Sequence, residues 1–262
     1  MITKVRNYFN SDAEKFDDER WFYDPVSRAE RRLRATLVGE ALGRLRGISS
    51  PESIAALELG CGPGIWLAEL SKYCGTVTGI DCSEKMLQRA RAIAPTATLK
   101  CADFSLLLPV DDKSVDFLLM SHALEYVPDT TKLAAEIRRV CRPNAVVCII
   151  TKNRDAFIWK TWKSIADNFK SNPIPSQHWR SSEDVALNLN LNTQSVYGLF
   201  PRIPNKFNDV NDAWPNKRIR FYIGWPTLVS GVMLKLLSPF AWHIGIIATV
   251  HDNLSSEFNN DI

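Results

Sequence analysis

Gly60, Gly62 and Gly64 stand at alternate positions just after an apolar run that carries an acid, Ala56-Leu57-Glu58-Leu59. Glycines so spaced let the backbone turn tightly and lie against a ligand with no Cβ between them. A helical pattern, Trp66-Leu67-Ala68-Glu69-Leu70, follows at once. Strand, glycine turn and helix in that order open a nucleotide-binding βαβ unit. Asp81 then closes a second apolar run, Thr76 to Ile80, where a carboxylate can accept hydrogen bonds from a ribose diol. Asp103-Phe104 follows a third run, and Ser121-His122 a fourth. Ligands of open α/β sheets bind outside the carboxyl ends of the strands, so these scattered residues should converge on one edge.

The segments Glu58-Leu59-Gly60-Cys61-Gly62-Pro63-Gly64, Gly79-Ile80-Asp81-Cys82-Ser83-Glu84-Lys85-Met86 and Ala102-Asp103-Phe104 resemble the class I S-adenosylmethionine-dependent methyltransferases. Asp81, Ser83 and Met86 form an Asp-x-Ser-x-x-Met pattern typical of that family and of its small-molecule "type 11" domain. The likeness continues through Val115 to Met120 and Ala123-Leu124-Glu125-Tyr126-Val127, and ends near Ile150. It implies a Rossmann-like seven-stranded, mostly parallel sheet with helices on both faces and an antiparallel last strand. It also implies a cofactor site made of Glu58, Gly60, Cys61, Gly62, Gly64, Asp81, Cys82, Met86, Asp103, Phe104, Ser121 and His122. In the family the acid at Asp103 takes the adenine amino group and its apolar neighbour covers the ring; Phe104 is otherwise a core anchor. A dinucleotide site fits less well, because the spacing is Gly-x-Gly-x-Gly and not Gly-x-Gly-x-x-Gly. S-adenosylmethionine also has no pyrophosphate to seat on a helix N-terminus.

The elements that must position these residues follow in order. Residues 1–50 form a charged, amphipathic segment with aromatics at Phe9, Phe16, Trp21, Phe22 and Tyr23, then a helix from Arg28 to Gly47 with Leu33, Leu37, Ala41 and Leu45 every four residues. Similar methyltransferases use such a segment as a lid over the cofactor; otherwise its aromatics simply pack it onto the core. Ser50-Pro51-Glu52 opens the methyltransferase core, 51–262. Strands are expected at about 54–59, 76–81, 96–101, 115–120 and 146–151, with Ser83 capping a helix. Arg142-Pro143-Asn144-Ala145 reads as a turn with Asn144 left-handed, where similar proteins usually have Pro-Gly-Gly. Within 152–240 lie substrate-region or cap elements: a helical stretch with Phe157, Trp159, Trp162 and Phe169, a loop His178-Trp179-Arg180 entering a helix through Ser181-x-x-Asp184, and a sixth strand from Gln194 to Phe200. After the proline-rich stretch 201–215, a helix or two should span about 225–238, and His243 to Val250 should be the seventh strand.

The chain has 262 residues, 45% of them hydrophobic, and a formal net charge of +3. That suits one domain with its own core and does not point to nucleic acid as partner. The fourth strand is followed by Met120-Ser121-His122, not the Asp/Asn-Pro-Pro-aromatic motif linked with methylation of base amino groups. The six cysteines form no Cys-x-x-Cys pair, so buried free thiols in a reducing compartment are expected, without metal. With no apolar leader at Met1 to Asn7, cytoplasm is the expected location. Lys235, Pro226 and Pro239 interrupt the apolar stretch 219–250, which argues against a membrane span and leaves surface contact a minor option.

Methyl transfer from a sulfonium needs alignment, dryness, and a base only where the acceptor is protonated. His122 is the candidate general base, with Tyr126 behind it; the other reading of both is packing. The tryptophans Trp159, Trp162, Trp179, Trp214 and Trp225 suit a planar or apolar small molecule such as a quinone, porphyrin precursor or secondary metabolite, or else form the core of a cap. A protein of this fold that binds S-adenosylmethionine without methylating is the alternative.

Overall fold

Apolar side chains at alternate positions give each central strand two buried faces, and both must be covered. Leu57, Leu59, Leu118, Met120, Val147 and Ile149 face one way, while Ala56, Phe117, Leu119, Val146, Cys148 and Ile150 face the other. The computed structural model describes residues 2–16, 25–46, 50–156, 177–199, 228–230, 241 and 243–250.

The strands are β1 (Ala55–Leu59), β2 (Thr76–Asp81), β3 (Thr98–Cys101), β4 (Val115–Ser121), β5 (Cys141–Lys152), β6 (Leu191–Leu199), β7 (Leu228–Ser230) and β8 (His243–Val250). They form one sheet in the order β3-β2-β1-β4-β5-β8-β6-β7. β1 to β5 pair in parallel, and β8 runs antiparallel between β5 and β6. The seven expected strands are thus present, the last of them reversed. β7 adds an eighth at the outer edge, antiparallel to β6. It lies inside the stretch 225–238 that was expected to be helical; three residues are too few to show a period in sequence.

The helices are α1 (Ile2–Asp12), α2 (Pro25–Arg46), α3 (Ile65–Leu70), α4 (Glu84–Ile93), α5 (Thr131–Val140) and α6 (Ser182–Leu189). α5 and α6 cover one face through Leu133, Ile137, Val140, Val185 and Leu189. α2 and α3 cover the other through Leu37, Ala41, Leu45, Trp66 and Leu70. α2 is therefore a core helix. Its Leu37 packs so closely on β8 that a Cβ on Gly245 would come within 2.1 Å of it. Ser83 accepts a hydrogen bond from Met86 N at 3.2 Å, and Ser181 and Asp184 form a reciprocal capping box at the start of α6. Asn144 is left-handed with φ 62°, as its turn requires, although the turn is a bulge within β5 opposite Asp116.

All six cysteines are free, and all but Cys101 are buried. Burial pushes the Cys82, Cys141 and Cys148 thiols up to about 12, so they are inert at neutral pH. Among the described residues no helix is long and apolar enough to cross a membrane. Of the apolar stretch 219–250, the part at 243–250 is an interior strand. The aromatics Trp21, Phe22, Tyr23, Phe157, Trp159, Trp162, Phe169, Trp214 and Trp225, and the loop 201–215, lie outside the described residues.

Candidate functional site

At the carboxyl ends of β1, β2 and β4 the chain opens a pocket lined by Gly60, Gly62, Asp81, Asp103, Ser121 and His122, where ligands of open α/β sheets bind. Gly60, with φ 74°, accepts the turn out of β1, and a Cβ there would stand 2.5 Å from the Cβ of Ala123. Gly62, with φ 51°, borders the pocket with nothing within 4 Å of where its Cβ would be. That empty approach is the space a ligand needs. Gly64 serves packing: its Cβ would meet Ala90 of α4 at 2.9 Å.

Asp81 is gripped by backbone. Gly62 N–H donates to Oδ2 at 2.8 Å and Ser83 N–H to Oδ1 at 2.8 Å. Burial nevertheless pushes its pKa up, more than the backbone donors of Ser83, Gly62 and Cys82 pull it down. The ionised carboxylate is short of donors, and the two hydroxyls of a ribose diol would supply them. Asp103 accepts from Ser105 N at 2.9 Å and Ser105 Oγ at 2.6 Å, both on Oδ1. Asp103, Phe104, Cys82 and Met86 all border the same pocket. These residues fit the adenosyl part of S-adenosylmethionine.

Not every expected residue reaches the wall. Glu58, Cys61 and Gly64 do not border the pocket. Glu58 points with Ala56 toward the α2 side of β1, 1% exposed, with its Oε2 lacking a partner among the described residues. Burial, and then the charge of Asp81, push its carboxyl well above the usual range. Cys61 packs in the same layer and closes on Gly79.

α1 roofs the pocket with Val5 and Phe9, and Phe16 adds to it. Phe9 meets Tyr126 edge-on at 5.3 Å and Phe16 at 6.3 Å. Asn10 Oδ1 accepts from Ser83 Oγ at 2.6 Å, and Arg89 donates to the carbonyl of Ala13, so the roof is pinned to α4.

Beyond the roof lies a second set of groups. His122, left-handed with φ 58°, borders the pocket with Ser121, Ala123 and Tyr126. Its Nδ1 is 3.1 Å from Glu125 Oε1, and Thr151 Oγ1 donates to Glu125 Oε2 at 3.1 Å. His122 Nε2 is shut from solvent with no partner among the described residues. Its ring stands edge-on to His243 at 4.5 Å. Burial, then the Arg34 guanidinium, push His122 below its usual range against the pull of Glu125. Burial pushes Glu125 up, but the His122 hydrogen bond, the charges of His122 and Lys152 and a backbone donor together outweigh it, and the carboxyl is held down. An ionised Glu125 beside a neutral His122 satisfies both directions.

Arg180, Gln177, Thr151 and His243 carried no motif and emerge only from the fold. Arg180 is 7% exposed and donates to the carbonyls of Leu124, Val127, Pro128 and His178. It thereby braces the turn that carries Glu125 and Tyr126. Gln177 donates to Tyr126 Oη at 2.9 Å and accepts from Trp179 Nε1 at 3.1 Å, while Lys152 Nζ lies 4.9 Å from the Trp179 ring. His178 donates its N–H to Glu125 O at 2.7 Å, so the loop acts through backbone and does not bring this ring to the pocket wall. Among the described residues no group of three or more His, Cys, Asp or Glu could hold a metal ion.

Sheet order, glycine turn and acids at strand ends define a Rossmann-like nucleotide-binding α/β fold. Residues 57–149 match the family model described as a methyltransferase domain. It is 30% identical over 165 residues to a demethylmenaquinone methyltransferase of Lactococcus lactis, covering 60% of this chain and 62% of that one. A Staphylococcus aureus demethylmenaquinone methyltransferase is 33% identical, with 60% and 64% covered. The chain spans less than two thirds of the length of these curated relatives. A magnesium protoporphyrin IX methyltransferase of Synechocystis with bound S-adenosylhomocysteine superposes with TM-score 0.61 at 15% identity, covering 96% of this chain and 100% of that one. A Thermotoga maritima S-adenosylmethionine-dependent methyltransferase, a possible histamine N-methyltransferase, gives 0.62 at 16% identity, with 94% and 100% covered. These two likenesses are of fold.

Proposed function

We propose that the protein binds S-adenosylmethionine in the pocket at the ends of β1, β2 and β4 and transfers its methyl group to a small organic acceptor. The carrying observation is the buried Asp81, held by two backbone donors yet still pushed up, beside an open approach at Gly62 and a second acid at Asp103. Asp81 would take the ribose hydroxyls and Asp103 the adenine amino group, with Phe104 and Met86 against the ring. When bound, S-adenosylmethionine supplies an electrophilic methyl carbon on a sulfonium; the protein aligns the acceptor and keeps water away. α1 acts as the lid, through Phe9 and Phe16.

The acceptor side supports an aromatic molecule of quinol type. Phe9, Phe16 and Tyr126 give flat apolar walls, and the demethylmenaquinone methyltransferases are relatives that act on such a ring system. No nucleic-acid partner is included in this reading, and the cytoplasm is its setting. Calorimetric titration with S-adenosylmethionine and S-adenosylhomocysteine tests it first. Micromolar binding of both, followed by methyl transfer to a member of a panel of hydroquinones, phenols and amines, is the expected result. Failure to bind either would overturn the reading.

A further inference from the structure

We infer that Glu125 is the positioning residue of a hydrogen-bond relay, Thr151–Glu125–His122, which holds His122 so that its Nε2 takes the proton of an acceptor hydroxyl. The inference rests on the methyltransferase reading and names the chemical class of the acceptor: a phenol, hydroquinone or enol, not a group without a proton to lose.

The geometry assigns each role. Nδ1 of His122 faces Glu125 Oε1 at 3.1 Å, and the other carboxylate oxygen is occupied by Thr151 Oγ1 at 3.1 Å. A carboxylate can only accept, so Nδ1 carries the hydrogen and the lone pair is left on Nε2. That nitrogen has no partner among the described residues and is closed off from solvent. Leaving a buried nitrogen unsatisfied is costly, and a ligand's hydroxyl would recover that cost. His122 borders the pocket shared with Asp81 and Asp103. Its backbone sits at φ 58°, an unfavourable region for a residue with a side chain, and is held there by His122 N–H donating to Ile150 O at 2.8 Å. Arg180 braces the turn that carries Glu125 through Leu124 O and Val127 O. Strain kept in place by buried hydrogen bonds marks a side chain whose direction matters.

The step balances. The acceptor O–H bond breaks and an Nε2–H bond forms, giving imidazolium beside the Glu125 carboxylate. The electron pair left on oxygen forms the new bond to the methyl carbon, or is delocalised to a ring carbon that does so. The carbon–sulfur bond breaks with its pair staying on sulfur, and the imidazolium later gives its proton to water. The titratable groups around His122 are Glu125 on its own turn, Arg34 on α2, Lys152 on β5 and His243, edge-on, on β8. Arg34 and Lys152 oppose protonation at rest, so the imidazole waits as a base, while Glu125 favours the imidazolium once the proton moves.

The chain has four histidines, His122, His178, His243 and His251, so nitrogen-15 NMR of the imidazoles is tractable, with His122→Asn giving the assignment. On the protein without ligand, His122 should be neutral with its hydrogen on Nδ1 from pH 7 to 8. Glu125→Gln, close to isosteric, should abolish that tautomer preference while S-adenosylhomocysteine affinity stays within about 3-fold; Thr151→Val should shift it less. With an acceptor in hand, Glu125→Gln should lower kcat by about 100-fold or more with little change in KM. A hydrogen on Nε2 in the unmodified protein would overturn the relay, as would acceptors confined to groups with no proton to lose. Loss of S-adenosylhomocysteine binding by the unmodified protein would instead strike the underlying methyltransferase reading.

Discussion

The two halves of the sheet build their parts of the site by different means. On the β3-β2-β1-β4 side, ligand-facing groups are held chiefly by main-chain groups: Asp81 by the N–H of Ser83 and Gly62, Asp103 by the N–H of Ser105, and the glycine turn by the carbonyl of Ile80. On the β5-β8-β6 side, the key groups are held by side chains, most of them from distant elements. Tyr126 leans on Gln177, Glu125 on Thr151, His122 on His243, and the 124–128 turn on Arg180. Backbone chemistry suits a ligand that never changes, whereas a side-chain network can be altered one residue at a time. On the proposed function, the first half serves the common cofactor and the second a particular acceptor.

Substitutions can break this contrast or sharpen it. The largest effect is expected at Arg180→Leu, which strips several buried carbonyls of their donor and should cost roughly 3 kcal/mol of stability by thermal or urea unfolding. S-adenosylhomocysteine affinity of the remaining folded protein should change little. A loss of cofactor affinity as large as that of an Asp81 variant would erase the distinction between the halves. Asp81→Ala should weaken S-adenosylhomocysteine binding by about 10- to 100-fold, since hydrogen bonds to a charged group are worth about 1.5–3 kcal/mol. An unchanged dissociation constant by calorimetry would remove Asp81 from the ribose site.

The pH dependence sharpens the acceptor side. His122 is held below its usual range, so the base stays neutral through pH 6.5 and is lost only at lower pH. Its protons are bound more readily in the unfolded chain, so the stability it contributes is whole above about 6.5 and declines as acid takes the pH toward the folded value. A kcat/KM profile whose acidic limb sits at or above ordinary histidine values would contradict this. The smallest effect is expected at Phe9→Ala. It removes three edge-on contacts, with Tyr8, Phe16 and Tyr126, worth about 1 kcal/mol each and should weaken S-adenosylhomocysteine binding several-fold, because the roof would close less often. Equal affinity would mean that α1 only packs.

The same contrast explains what was legible in sequence. Gly60, Gly62, Asp81 and Asp103 announce themselves because each is tied to a turn or strand end within a few residues. The strand His243–Val250 was also readable, as an apolar β-branched run. Arg180 looks like any loop cation, and its four carbonyl partners include residues more than 50 positions away in sequence. Glu125 reads as part of a family pattern until Thr151 and His122 are seen on its two oxygens. Glu58 shows the converse. Its place beside the glycines suggests ligand contact, but the pleat of β1 turns it to the α2 side.

The placement of β8 has a consequence for how the molecule is made. β8 is the last described strand in the chain, yet it sits inside the sheet, paired along seven residues of β5 on one side and with β6 on the other. During synthesis β1 to β5 and their helices can assemble first, because their pairings are nearly sequential. The β5 edge then stays unpaired until residues 243–250 have left the ribosome, and it is long and apolar, the kind of edge that recruits other chains. His243 reaches His122 only with that strand. The nascent chain should acquire its cofactor pocket before its acceptor pocket, and a chaperone or a short delay in translation after β5 would protect the interval between them.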